Sequence, residues 1–233
     1  MTTAKHRQNT DNELLEMIEG AQHQLERHQV LSNIETLQAR EIQAILLQRR
    51  FVSLAFTPFY DVAIDALDAD RYENLEGARI VLRYILREEY PNSVGNEKSH
   101  REFLVDDLVQ FGLTRREILT SRPTVATSTV IHESFEQLRD AYGNDVALLG
   151  TVMTYGEFLV RVEYQSVMKA WPSTVSREKS VFYRTHIGHD QGHANRLLEL
   201  LPPWIHDDAQ LESFSRTIQR CVDMKKSFYD QFQ

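Results

Sequence analysis

The sequence predicts an all-α, single-domain protein, and three observations carry that reading. Apolar residues recur at spacings of three and four along most of the chain, the helical period. Glycine and proline are sparse, nine and six in 233 residues, and they cluster at a few breaks. No segment shows the strict alternation of a half-buried strand, and neither a repeat nor a low-complexity tract interrupts the pattern. A chain of this length can enclose one sizeable core, so a single helical domain over residues 1–233 is expected, with residues 1–11 a flexible N-terminus.

The elements follow in order. Residues 12–28 read as a polar opening helix. Ser32 with Glu35 has the spacing of a capping box, and a helix is expected from there through "IETLQAREIQAILLQRRFVSLAFTPFYDVAIDAL" to Leu67, bent at Pro58. The segment 72–90 places Leu75, Ala78, Val81, Leu82 and Ile85 on one face. "YPNSVGN" breaks the chain, and "EKSHREFLVDDLVQFG" reads as a short helix closed by Gly112, a residue suited to a C-cap. Segments 114–120 and 124–142 follow. A long helix runs from 145 to near Pro172, another starts after Ser176 and ends before Pro202 and Pro203, and a last one covers 208–231.

Composition narrows the function. Hydrophobic content of 42% and charged content of 26% are those of an ordinary globular protein. A formal charge of −8 argues against nucleic acid and anionic membrane as partners. The one cysteine, Cys221, cannot form an internal disulfide, the N-terminus lacks a signal-peptide core, and no run reaches the roughly 18 apolar residues of a span. A cytoplasmic protein is expected.

The stretch "HIGHDQGH", 186–193, raises the chemical question. Successive helical residues turn by about 100°, so His186, Asp190 and His193 share a stripe about 60° wide, with His189 at its edge. Phe182, Ile187, Ala194, Leu197 and Leu198 make the same helix largely apolar. Two imidazoles and a carboxylate on such a half-buried stripe need a partner, and a metal ion supplies one. The bland alternative is a solvated polar face. Glu97-x-x-His100 would let one helix offer a carboxylate and an imidazole to a bundle interior, although such a pair is often no more than an exposed coincidence. Glu157 sits among Leu148, Leu149, Val152, Met153, Phe158 and Leu159, where a buried carboxylate needs a counter-charge. Arg161 at i+4 could also supply it. Glu163 lies around the helix from Glu157, toward a more polar side, and is the poorer ligand.

Together Glu97, His100, Glu157, His186, Asp190 and His193 offer nitrogen and oxygen donors without thiolate, a set that suits iron or manganese. Six side chains fit two ions better than one, and three carboxylates against two divalent cations leave a local charge of +1 that favours an anionic guest.

The order ExxH, then Tyr155-Gly156-Glu157, then HxxxDxxH resembles the haem-oxygenase-like di-iron oxidases and oxygenases, whose helical bundle is that of haem oxygenase, the thiaminase TenA and PqqC. The motif match covers about residues 75–200. The resemblance implies two Fe(II) ions held by the six named residues, O2 as co-substrate, and Glu97, Glu157 and Asp190 as the carboxylates of the reacting centre. It also implies a small-molecule substrate bearing a carboxylate, an amino acid above all. The reactions it implies are oxidative C–C cleavage, decarboxylation, desaturation or N-oxygenation, including conversion of an amino acid to a nitrile in a biosynthetic pathway. A homodimer is a compatible assembly. Arg83, Arg87 and Arg184 are the residues considered as carboxylate anchors. Two departures matter. Cys221 is in the last helix, unlike the mid-chain cysteine of the thiaminases, and His23 and His28 lie on a polar segment that gives no haem signal.

Two other readings remain at this level. His189-Asp190 occurs in HD-type metal-dependent phosphohydrolases, and the chain could be a non-catalytic helical interaction module. A ferritin-like di-iron protein would need a second ExxH, which the sequence lacks.

Overall fold

The computed structural model describes residues 2–67, 75–90, 98–201 and 204–233, with side chains throughout these except at 2–11, 75 and 190. The described residues form helices and connecting turns, with no strand among them. Helix α1 spans Thr2–Glu26, beginning ahead of the start at residue 12 that the apolar spacing suggests, and it buries Leu14, Ile18, Ala21 and Leu25. A short α2, Gln29–Ser32, and a 3₁₀ turn, Ile34–Thr36, lead to α3, Ala39–Leu54, and α4, Phe56–Ala66. The expected Ser32–Glu35 capping box is not made. The Ser32 hydroxyl donates to the Gln29 carbonyl, and the box is built instead by Gln38 and Glu41 at the start of α3. The bend also falls earlier than Pro58, at Ala55.

Helix α5, Leu75–Glu88, buries the expected Ala78, Leu82 and Ile85. Helix α6, His100–Gln110, starts later than the Glu97-x-x-His100 pairing requires, because Ser99 is its N-cap and forms a capping box with Glu102. Glu97 itself lies outside the described residues. Gly112 closes this helix with φ +87°, a conformation glycine adopts without strain. Helices α7, Arg115–Thr120, and α8, Val125–Asp140, match their expected segments.

The long central helix is three pieces in one run: α9, Asp145–Thr151, a π segment, Val152–Phe158, and α10, Leu159–Lys169. Residues 145–160 are buried without a break, so this helix has no solvent face there. It packs on α11, Phe182–Leu200, and on α12, Asp208–Asp230, while α11 also packs on α5 and α6. One apolar core joins α1, α4, α5, α9 and α12. A second joins α3, α6, α10 and the start of α11.

The start of α11 is fixed from outside itself. Its own N-cap residue, Val181, supplies no side-chain bond, and Asp107 of α6 does the work. One Asp107 oxygen accepts from the Val181 amide at 3.1 Å, and the other from the Ser180 hydroxyl at 2.7 Å and the Tyr183 amide at 3.2 Å. Burial pushes the Asp107 carboxyl up, against the pull of these hydrogen bonds. Replacing Asp107 by Ala strands three donors, those of Ser180 and Tyr183 buried, so Asp107→Ala is expected to cost about 2–3 kcal/mol in denaturant unfolding. A loss below about 0.5 kcal/mol, the level of an ordinary surface change, would show that α11 is positioned without this cap.

Candidate functional site

A cavity opens at the seam between the two cores. Phe59, Ile85 and Tyr155 line it from the first core, and Leu104, Val160 and Phe182 from the second. The carboxylates and imidazoles of its lining come from the end of α5, from α6, from the π segment and from α11, and each is delivered by local helix geometry. On α5 the buried stripe ends at Ile85, and residues three and four further on share that face, which turns Glu88 and Glu89 inward. His100 is the first residue of α6. His186, His189 and His193 lie on successive turns of α11, and Glu157 lies in the π segment.

These side chains form two groups. In the first, Glu89 Oε1 lies 3.0 Å from His100 Nδ1 and 3.8 Å from His186 Nε2. One donor atom from each of the three residues falls within 4.8 Å of the others. His186 Nδ1 is 2.7 Å from the Phe182 carbonyl oxygen, to which it donates, and its Nε2 is the nitrogen turned toward Glu89. Burial pushes the Glu89 carboxyl up, but the hydrogen bond from His100 and the nearby imidazoles of His100 and His186 outweigh that and hold it at about 2.

The second group centres on His193. Its Nε2 lies 3.2 Å from Glu88 Oε2, and its Nδ1 lies 3.5 Å from Glu157 Oε2. His189 Nδ1 stands 3.8 Å from Glu88 Oε2, and this ring is exposed. Burial pulls the His193 pKa down, while Glu157 and Glu88 pull it up, and the net shift is upward. The Tyr60 hydroxyl donates to the remaining Glu157 oxygen. A Cβ on Gly156 would stand 3.1 Å from that hydroxyl, so glycine here lets Tyr60 close on its neighbour's carboxylate.

Of the residues singled out from the sequence, the structure brings together His100 with His186, and Glu157 with His193. Asp190 lies on α11 between the two histidine turns, and its side chain is outside the described set. Glu88 and Glu89 were not among the residues expected, and both occupy the cavity wall. Glu163 corrects the sequence reading in another way. It is buried, not turned to a polar side, and binds Arg49 at 2.8 Å, Lys225 at 2.8 Å and Tyr229 at 2.9 Å. Arg161, the alternative partner of Glu157, donates to Gln191 instead. Arg83, Arg87 and Arg184 are exposed and absent from the cavity lining, whose arginines are Arg49 and Arg101. Arg83 pairs with Glu76, and Arg184 donates to the Glu178 carbonyl. His28, expected to be solvated, is buried: its Nδ1 accepts from the Val30 amide and its Nε2 meets Asp230 at 3.0 Å.

Carboxylates and imidazoles converging from separate helices, with no thiolate, form a donor set suited to iron. The family described as "Iron-containing redox enzyme" matches residues 43–226, most of the chain, and the protein belongs to it. It is therefore an oxidoreductase on a haem-oxygenase-like, all-α scaffold. The fold is similar to a TenA homolog from Pseudomonas syringae pv. tomato, at TM-score 0.74 and 13% identity over 95% of this chain and 91% of that one. It is also similar to a CADD-like protein of unknown function from Nostoc punctiforme, at TM-score 0.73 and 17% identity over 94% and 96%. A third neighbour is a domain of unknown function with a heme oxygenase-like fold from Shewanella denitrificans, at TM-score 0.69 and 15% identity over 97% and 90%. No curated protein matches the chain. Among the described residues no helix is long and apolar enough to cross a membrane.

The position of Glu89 gives a direct test. Glu89→Gln removes the anionic oxygen shared by two imidazoles and is expected to weaken iron binding by about tenfold or more in a competition titration. Glu163→Gln leaves both imidazole groups intact and is expected to change iron affinity much less. If Glu97→Gln weakens binding while Glu89→Gln does not, the carboxylate of this group is Glu97.

Proposed function

We propose that this protein is a non-haem di-iron, O2-dependent oxidase or oxygenase acting on a small carboxylate-bearing substrate, an amino acid above all. The observation that supports it most is the division of the cavity's donors into two Glu/His groups that meet at the adjacent residues Glu88 and Glu89. Glu89, His100 and His186 would hold one ion. Glu88, Glu157 and His193 would hold the other, with Asp190 as the further carboxylate that α11 offers between its histidines. Two ferrous ions supply electrons and open coordination positions for the reduction of O2.

The chain's own residues supply the rest. The Phe182 carbonyl fixes the His186 ring and its tautomer. Tyr60 orients Glu157 through its hydroxyl and leaves the other oxygen free to face His193. Phe56, Phe59, Leu104 and Phe182 make an apolar wall that limits water around the reacting groups. Oxidative C–C cleavage, decarboxylation, desaturation and N-oxygenation are all within reach of such a centre, and the family assignment supports redox chemistry without choosing among them.

Anaerobic loading with Fe(II) and metal counting tests the reading first. Two ions per chain are expected, and saturation at one ion with zinc preferred would reject the di-iron proposal. Exposure of the loaded protein to O2 with a panel of amino acids, read by mass spectrometry, then tests the substrate class. His186→Ala and His193→Ala are each expected to abolish O2-dependent product formation with the helical signal by circular dichroism retained. Hydrolysis of a generic phosphate ester without O2 would instead favour a phosphohydrolase.

A further inference from the structure

Arg49 of α3 and Lys225 of α12 line the same cavity and take no part in the two Glu/His groups. Both are buried, at 3% and 1% exposure, together with a single carboxylate, Glu163, at 1%. Arg49 Nη2 and Lys225 Nζ converge on one oxygen of Glu163, each at 2.8 Å, and the other oxygen is taken by the Tyr229 hydroxyl. Two cations thus share one anion, and an excess positive charge is left in a low-dielectric interior, where it is costly without a partner. The donors are not used up either. Arg49 Nε has no hydrogen-bond partner among the described residues, and beyond Glu163 the Lys225 ammonium rests against the Tyr155 ring at 4.2 Å.

We propose that Arg49 and Lys225 form an anchor for the carboxylate of a monocarboxylate ligand whose apolar, ring-sized body packs on Phe56, Phe59 and Phe182. The inference rests on the reading above that a carboxylate-bearing substrate enters this cavity, and it adds the residues that hold it and the nature of its body. Glu163 then has a definite part. It neutralises one of the two cations, so that one charge remains for one carboxylate, and a guanidinium beside an ammonium offers charge-assisted bonds to it. Burial lowers Lys225 to about 8, with Glu163 opposing that shift and Arg49 adding to it, so the ammonium stays mostly charged near neutral pH and a second anion beside it favours that form further.

The test is calorimetry on the iron-free full chain with 3-phenylpropanoate and its neutral isostere 3-phenylpropanamide. The acid is expected to bind about tenfold or more tightly than the amide. Lys225→Met should remove most of that preference, while its melting temperature stays level or rises, because an excess buried charge has gone. Glu163→Gln should lower the melting temperature, because Arg49 and Lys225 then lose the carboxylate they share. Equal binding of acid and amide, or an unchanged preference in Lys225→Met, would overturn the proposal. A preference that emerges only after iron loading would also overturn it, since the carboxylate would then sit on the metal. Iron counting is independent of this result, so failure of the anchor and failure of the di-iron reading are told apart.

Discussion

Charge buried among helices is the constraint on which the rest of this structure depends. A low-dielectric interior tolerates an ionised side chain only with a partner, and here the partners come from different helices. Glu163 of α10 ties α3 to α12 through Arg49, Lys225 and Tyr229. Asp107 ties α6 to the start of α11. Glu88 and Glu89 tie the end of α5 to α11 and α6 through four histidines. Each of these groups is too polar to be packing alone, and each fixes the angle at which two helices meet the cavity. The bonds around Glu163 and Asp107 are direct, short and complete on their carboxylate side. Those around Glu88 and Glu89 include separations of 3.8 Å, looser than hydrogen bonds, as suits donors that a cation would draw together.

One helix serves two such networks because glutamates six residues apart already point to different sides, and the π segment ends between them. A π turn takes in more residues than an α turn, so it shifts the phase of whatever follows it. Glu157 lies inside it and faces His193 on α11, whereas Glu163, six residues later, faces α3 and α12. The segment also brings the backbone at Gly156 close to Tyr60, whose hydroxyl completes the surroundings of Glu157. A side chain at 156 would press on the ring that orients the carboxylate. The unusual helical geometry and the missing Cβ therefore act on the same atom.

The helices were largely legible because their signals are local. The stripe Ala78, Leu82, Ile85 and the positive φ of Gly112 are where spacing and glycine chemistry put them. So are the histidines of α11, on one helix with its apolar residues. The site was legible only in part. Ser99-x-x-Glu102 is a capping box written in the sequence, and it starts α6 at His100, which removes the helical reason for pairing Glu97 with His100. Glu88 and Glu89 resemble a solvated pair at a helix end until they are counted from Ile85, after which they continue its buried face. Glu163 was illegible for a deeper reason. A polar side of the central helix was inferred from its own residues, but whether a glutamate there meets water or two cations depends on α3 and α12, which lie more than 60 positions away.

The same non-local charges set how an anion would be chosen. The chain as a whole carries a formal charge of −8, so its long-range field does not draw anions toward it. Any preference for a carboxylate must arise after entry, at donors already desolvated by the fold. Surface attractions fade with ionic strength over a Debye length of about 8 Å at physiological salt, while buried pairs are screened much less. An anion held by Arg49 and Lys225 should therefore keep most of its affinity as salt is raised, whereas one held at exposed arginines such as Arg83 or Arg184 should lose it. Calorimetric titration of 3-phenylpropanoate at low and high sodium chloride separates the two. A steep loss of affinity with salt would locate the carboxylate at the surface and leave the buried excess charge without a ligand.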